Sequence, residues 1–302
     1  MTHPPPTRTL AIPTRAVMVM ARPSQLALIG LVYSAGVLVG VWRGTPAAGM
    51  DAAPGLLLVL SAAVAVHWAN EAADADTDAL TTRTRFSGGS GALPDSGLAP
   101  TVLLRGALGL AIAVVGAAVV SIALGRLPVA AGSLLVLGLV GGLAYSVAPI
   151  ALMRRGMGEP INALLGGLAL PLYGIAAARG RVDPLDIVAF LPFCLVVFCS
   201  VLATAWPDRV ADGATGKRTL QVRLPRSWLR RMYGASATGW AVTVVVAGAT
   251  GAFPNAFLVL AIMPLVVLGA RRYTRQADAW PSVAAMVGHV GLMVAATAVA
   301  VL

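Results

Sequence analysis

Nine stretches of roughly 20 apolar residues run through this chain, at 24–43, 53–72, 99–122, 128–150, 160–178, 184–206, 232–251, 254–270 and 280–301. That is the length of helix that crosses a hydrocarbon core. Lipid offers no water to exposed backbone groups, so such runs satisfy their own N–H and C=O groups as helices. The chain is 58% hydrophobic and 11% charged, whereas a soluble domain is about half apolar and a quarter charged. The pattern predicts an all-α, polytopic membrane protein built as a single helical domain over 24–302. Many spans are rich in Gly and Ala, which suits close helix–helix approach in lipid.

Residues 1–23 read differently. Pro4, Pro5, Pro6 and Pro13 alternate with Arg8, Arg15 and Arg22, and no apolar core ends in a small-residue cleavage site. The segment is expected to be a loose basic tail and not a secretory signal peptide.

The 22 basic residues, all Arg except Lys217, sort by loop. Eighteen lie in the tail or near the even-numbered span ends: Arg8, Arg15, Arg22, Arg83, Arg85, Arg105, Arg154, Arg155, Arg209, Lys217, Arg218, Arg223, Arg226, Arg230, Arg231, Arg271, Arg272 and Arg275. Only Arg43, Arg126, Arg179 and Arg181 fall on the other side. The positive-inside rule puts the N-terminus in the cytoplasm and the C-terminus outside. The formal charge of +10 is then a basic cytoplasmic face against anionic lipid, with no need of nucleic acid. A bacterial cell membrane is the expected location.

The acids are scarce, 12 in 302 residues, and two groups of them sit at cytoplasmic span ends. The first reads Asn70-x3-Asp74-x3-Asp78, and the second reads Asp208-x3-Asp212 followed by Gly216-Lys217. On a helix, positions four apart share a face. Asn70, Asp74 and Asp78 therefore form one stripe and Asp208 and Asp212 another, while Glu71 and Asp76 point elsewhere. Acids at a helix end are often merely solvated. Two clusters of matching spacing on one side, each followed by a Gly-containing basic loop, argue for a shared task. Carboxylates near the membrane core are costly, and facing stripes repel. A hard divalent cation relieves both, and an all-oxygen donor set suits Mg2+ bridging carboxylates to substrate phosphates. The loops supply the complement: Arg83 and Arg85 precede Phe86-Ser87-Gly88-Gly89-Ser90-Gly91, and Lys217 and Arg218 follow Gly213 and Gly216. Glycine lets backbone N–H groups approach an anion, and Arg or Lys neutralises it. Cys194 and Cys199 point in different directions and read as small apolar fillers; His3, His67 and His289 form no metal set.

With N-x3-D-x3-D after the second span and D-x3-D after the sixth, the chain resembles the UbiA superfamily of intramembrane prenyltransferases over about residues 20–302. The resemblance implies a nine-transmembrane-helix bundle around a central cavity, capped on the cytoplasmic side. It implies transfer of a prenyl group from a polyprenyl diphosphate to an acceptor. It further implies that Asn70, Asp74, Asp78, Asp208 and Asp212 hold Mg2+–diphosphate, and that Lys217 and an Arg of the first loop, Arg85 ahead of Arg83, contact phosphate oxygens. Members acting on 4-hydroxybenzoate tend to have Tyr followed four residues later by a basic residue. Here Tyr145 is followed by Pro149. The run Tyr145-Ser146-Val147-Ala148-Pro149, with Arg155-Gly156-Met157-Gly158-Glu159, is similar to the dihydroxynaphthoate prenyltransferases of the menaquinone branch.

The expected chemistry is electrophilic alkylation of an aromatic, quinone-precursor-like acceptor. Basic groups and Mg2+ stabilise the leaving diphosphate. Tyr145, Tyr173 and Trp206 can face the allylic cation, though Tyr173 and Trp206 read first as packing or interface anchors. Asn162 can orient the acceptor. One alternative keeps the ionisation without an acceptor, as an intramembrane terpene cyclase. A carrier for an anionic lipid or metabolite is disfavoured because the charge lies at one surface, not at the midplane.

Overall fold

The computed structural model describes residues 14–44 and 52–302. Arg8, His3, Pro4, Pro5, Pro6 and Pro13 of the tail lie outside the described residues. Within them the chain is helical, and eight helices are long and apolar enough to cross a membrane. They are α1 (Pro23–Trp42), α2 (Ala52–Ala73), α3 (Pro100–Ala123), α4 (Val129–Ser146), α5 (Gly158–Arg179), α6 (Pro184–Ala205), α7 (Arg226–Ala249) and, last in the chain, Trp280–Val301.

The predicted span 254–270 takes another form. Residues Ala256–Ile262 make a 3-10 helix that runs into the short α-helix α8 (Met263–Arg272), ahead of α9 (Trp280–Val301). Pro264 lies in the first turn of α8, and its missing N–H cannot serve a carbonyl one turn back. The segment therefore changes helix type instead of running as one long α-helix.

Several boundaries follow from local chemistry. Pro occupies the first turn of α1, α3, α6 and α9, where its missing N–H costs nothing. Asp183 and Asp186 form a capping box at the start of α6. Helix α4 stops at Ser146 and not at 150, because Pro149 disfavours helical geometry in the residue before it. Helix α7 begins at Arg226, so Arg226, Arg230 and Arg231 ride its first turns instead of a loop. Within α5, residues Leu165–Ala169 form a π turn just ahead of Pro171. Part of the expected loose tail is ordered: Thr14–Met20 is a helix. Trp68 Nε1 donates to Val17 O at 3.2 Å, and Met20 packs with Leu93 and Leu103.

Two apolar cores share α1 and α5. One joins them to α6, α7, α8 and α9 through residues such as Phe190, Phe193, Trp240 and Met293. The other joins them to α2, α3 and α4 through Leu58, Ala65, Val114 and Leu135. The shared pair packs backbone to backbone. A Cβ on Gly36 would lie 2.1 Å from Pro171 O, and one on Gly174 would lie 2.4 Å from Tyr33 O. Only glycine permits that approach, as expected where lipid provides no hydrophobic drive between helices. At the end of the bundle away from the acidic motifs, Asp186 takes Arg43 Nε at 3.1 Å and is hydrogen-bonded by Arg179, which ties α1, α5 and α6. The thiols of Cys194 and Cys199 are buried against Ala163 O and Tyr233 O, as fillers.

Candidate functional site

Helix α2 ends at Ala73, one residue before the first motif aspartate, and the chain resumes as a short helix, Ala75–Asp78. The predicted stripe survives this break. Asp74 N donates to Asn70 O at 2.9 Å and Asp78 N to Asp74 O at 2.8 Å, so the four-residue register holds on both sides. Asn70 Nδ2 donates to Asp74 Oδ2 at 3.0 Å and to Ser146 Oγ at 3.2 Å, which fixes the stripe against the end of α4.

The second motif is a short helix too, Arg209–Ala214, with Asp208 at its N-cap. Its exit explains where Lys217 goes. Gly216 has φ 74, Gly216 N donates to Gly213 O at 3.3 Å and Lys217 N to Asp212 O at 2.8 Å. This is the paired closure of a Schellman motif, which needs a left-handed residue and so favours glycine. The turn folds the only lysine back over the aspartates. Lys217 Nζ lies 2.6 Å from Asp74 Oδ1 and 3.5 Å from Asp212 Oδ1, with only 5% of the residue exposed. Thr219 Oγ1 adds a contact to Asp212 Oδ2 at 3.3 Å.

More bonds join the two motifs. Thr77 Oγ1 and Thr215 Oγ1 are 3.0 Å apart, and Ser87 of the first loop lies beside Asp208. Tyr145 stands beside this cluster, next to Asn162 and within the field of Asp74, Glu159 and Asp212. The carboxyls are electrostatically loaded. Burial, then the charges of Asp74 and Glu71, push Asp78 up to about 7. Burial, then Asp212, push Asp208 up to about 6. Burial also raises Asp212, against the pull of Lys217.

Asn70, Asp74, Asp78, Asp208, Asp212, Tyr145 and Lys217 thus come to one end of the bundle. Arg85 belongs to the first loop: its guanidinium lies over the Phe86 ring at 5.4 Å, and it lines an open cavity of about 650 Å³ with Phe86, Gln276, Asp278 and Trp280. Two of the aromatic candidates are already engaged. Tyr173 donates to Gly55 O at 2.8 Å inside the bundle. Trp206 is buried with Arg209 over its ring at 3.9 Å and Arg226 at 5.4 Å.

Spacing alone missed three supporting residues. Glu71, off the stripe and 2% exposed, pairs with Arg22 at 2.8 Å and accepts from Ser90 N at 3.0 Å, anchoring the Gly-rich loop. Glu159 is buried and accepts from Leu220 N at 2.9 Å, just beyond the second motif. Arg154 reaches the backbone of both motifs. An acid in so acid-poor a chain was the available signal for Glu71 and Glu159; nothing in the spacing marked Arg154.

The donor set can be tested against a divalent cation. Among the described residues, no three His, Cys, Asp or Glu side chains close tightly enough to hold a metal by themselves. Mg2+ takes one or two carboxylates and completes its shell with water and phosphate oxygens. Among the described residues, Asp208 Oδ1 is buried without a hydrogen-bond partner, and buried Asp74 Oδ1 meets only the Lys217 ammonium. The ammonium already shows that the two motifs can share one positive charge.

Three comparisons bear on this arrangement. The profile of the UbiA prenyltransferase family matches residues 14–298. None of the curated proteins compared matches the chain in sequence. Among solved structures, a UbiA homolog from Archaeoglobus fulgidus bound to DMAPP and Mg2+ superposes with a TM-score of 0.62 at 16% identity, covering 94% of this chain and 98% of that one. The same homolog bound to GPP and Mg2+ gives 0.63 at 15% identity, covering 95% and 99%. A digeranylgeranylglyceryl phosphate synthase gives 0.58 at 13% identity, covering 95% and 96%. At such identities the likeness speaks for the fold.

Proposed function

This chain belongs to the UbiA prenyltransferase family, and from that premise we propose that it moves a prenyl group from a polyprenyl diphosphate to an aromatic, quinone-precursor-like acceptor at the cytoplasmic face of a bacterial cell membrane. The observation that carries the reading is the shared cation between the motifs, with Lys217 Nζ 2.6 Å from Asp74 and 3.5 Å from Asp212. Two acidic stripes held against one positive charge form a receptor for a diphosphate that arrives with its metal. The A. fulgidus homolog, whose structures are bound to DMAPP or GPP with Mg2+, supports the same substrate class here.

In this reading Asp74, Asp78, Asp208 and Asp212, with the amide of Asn70, would hold Mg2+–diphosphate. When bound, Mg2+ would neutralise the diphosphate and stabilise the charge that grows on the leaving group. Lys217 adds a fixed positive charge at the same place, and its burial makes that charge count for more than it would in water. The prenyl tail lies toward the apolar spans, where water is scarce and an allylic cation is protected from hydrolysis. Tyr145, beside the aspartates, faces the reacting carbon, and Asn162, next to it, orients the acceptor. The acceptor's electron-rich carbon forms the new C–C bond as the C–O bond to diphosphate breaks, and the acceptor then loses a proton.

The test is purified protein with Mg2+, prenyl diphosphates of several lengths and a panel of aromatic acceptors, dihydroxynaphthoate included, read by mass spectrometry. A prenylated acceptor supports the reading. Diphosphate release with only hydrocarbon or alcohol products would replace it with a cyclase. Undiminished activity in Asp74→Ala or Asp208→Ala would remove the metal site from the mechanism.

A further inference from the structure

The loop between α4 and α5 sends one side chain across both acidic motifs. Arg154 lies in the 3-10 turn Leu152–Arg155. Its Nη2 donates to Ala73 O at 3.2 Å and its Nη1 to Thr215 O at 3.5 Å. Its own carbonyl accepts from Arg218 N at 3.2 Å. Ala73 closes α2, directly before Asp74, and Thr215 is the C-cap of the helix that carries Asp212. Both carbonyls belong to the set a helix C-terminus leaves without an intrahelical partner. Both helix ends carry partial negative charge on the side where the carboxylates crowd.

One planar guanidinium therefore spans the ends of the two acid-bearing helices, and its fork fixes their separation. The Thr77–Thr215 hydroxyl contact at 3.0 Å is a second rung between the same loops. Without such fastening, the like charges of the two motifs would push the loops apart.

We propose that Arg154 is a positioning residue of the diphosphate site: it sets the spacing between the Asp74–Asp78 loop and the Asp208–Asp212 loop, so that one metal–diphosphate unit is gripped from both. The inference rests on the reading of these loops as a single Mg2+–diphosphate site. Arg154 acts through the backbone that presents the carboxylates, as outer-shell partners do at metal sites, where their loss typically costs 10–100-fold in affinity or activity.

The test combines steady-state kinetics with hydrogen exchange of the purified protein in micelles, for Arg154→Ala, Arg154→Lys and Thr77→Val. Arg154→Ala is expected to raise the Mg2+ half-saturation and the KM for prenyl diphosphate about 10- to 100-fold, with a smaller change in kcat. Peptides covering 73–78 and 208–218 should exchange faster while the spans keep their protection. Arg154→Lys keeps the charge but loses the fork, so it should resemble the alanine variant, and Thr77→Val should give a smaller shift of the same kind. Wild-type Mg2+ half-saturation in Arg154→Ala, or full rescue by Arg154→Lys, overturns the positioning role; so does loss of protection throughout the spans, which would make Arg154 a general element of the fold. If the wild type consumes no prenyl diphosphate, the site reading fails, and unchanged loop exchange in the variants would separately show that Arg154 fastens nothing.

Discussion

Lys217 Nζ lies 2.6 Å from Asp74 Oδ1, an ion pair between residues 143 positions apart that joins the loop after α6 to the end of α2. The pair exists because Gly216, at φ 74, turns the chain back over its own helix. Lys217 is thus part of the acidic cluster and not a free cation on a mobile loop. Its ammonium can turn from carboxylate to phosphate oxygen by rotating its long side chain, without moving the backbone.

Replacing that ammonium should be costly. Lys217→Ala removes a buried charge from the place where diphosphate charge develops, and loss of one such stabilising donor typically costs about 10²–10³-fold in kcat. Lys217→Arg should recover only part of this, because the guanidinium is larger and planar. Steady-state diphosphate release at saturating Mg2+ checks both.

Gly216 gives a test of the turn itself. Gly216→Val places a β-branched side chain at φ 74, a backbone region such residues rarely adopt. The expected result is a loss of activity approaching that of Lys217→Ala, with the spans still folded. Gly216→Asn, which tolerates the left-handed region, should stay within a few fold of wild type. Circular dichroism alongside the turnover assay separates the two effects.

The bundle was legible because lipid makes secondary structure a matter of apolar run length, and the motif stripes were legible because a four-residue spacing survives even where the helix breaks at Asp74. The segment 254–270 was less so: hydropathy reports how apolar a run is, not whether Pro264 lets it continue as an α-helix. Arg85 illustrates another limit. Its guanidinium lies over the Phe86 ring and lines an open cavity with Trp280, a placement that position in the sequence does not give. Glu71, Glu159 and Arg154 act by reaching across the chain, and a linear spacing rule is blind to contacts between residues as distant as Glu159 and Leu220.

The carboxyl environment sets a pH dependence for metal uptake. Asp78 is pushed up to about 7 and Asp208 up to about 6, both chiefly by burial. The cation needs the ionised form, so protons compete with it below these values. The apparent Mg2+ affinity should therefore rise as pH increases from 6 through 7 and level off above 8. Mg2+ titrations of diphosphate release at pH 6, 7 and 8 measure this. A half-saturation independent of pH over that range would mean the carboxyls are already ionised at pH 6.

The opposite end of the bundle carries a prediction about stability alone. Asp186 is fully buried and holds both Arg43, at 3.1 Å, and Arg179, while Asp183 pairs with Arg179 at 3.1 Å from a half-exposed position. Asp186→Ala would leave two guanidiniums without their shared counter-charge between α1, α5 and α6, and removing one partner of a buried ionic group costs about 3–5 kcal/mol. Asp186→Asn keeps the shape and one acceptor oxygen but no charge, so it should fall between. The thermal unfolding midpoint in detergent should drop for both variants, furthest for Asp186→Ala. Because the triad is remote from Asp74 and Lys217, the KM for prenyl diphosphate should be unchanged below the midpoint. A changed KM in Asp186→Asn would show that the two ends of the bundle are coupled through α1 and α5, the helices shared by both cores.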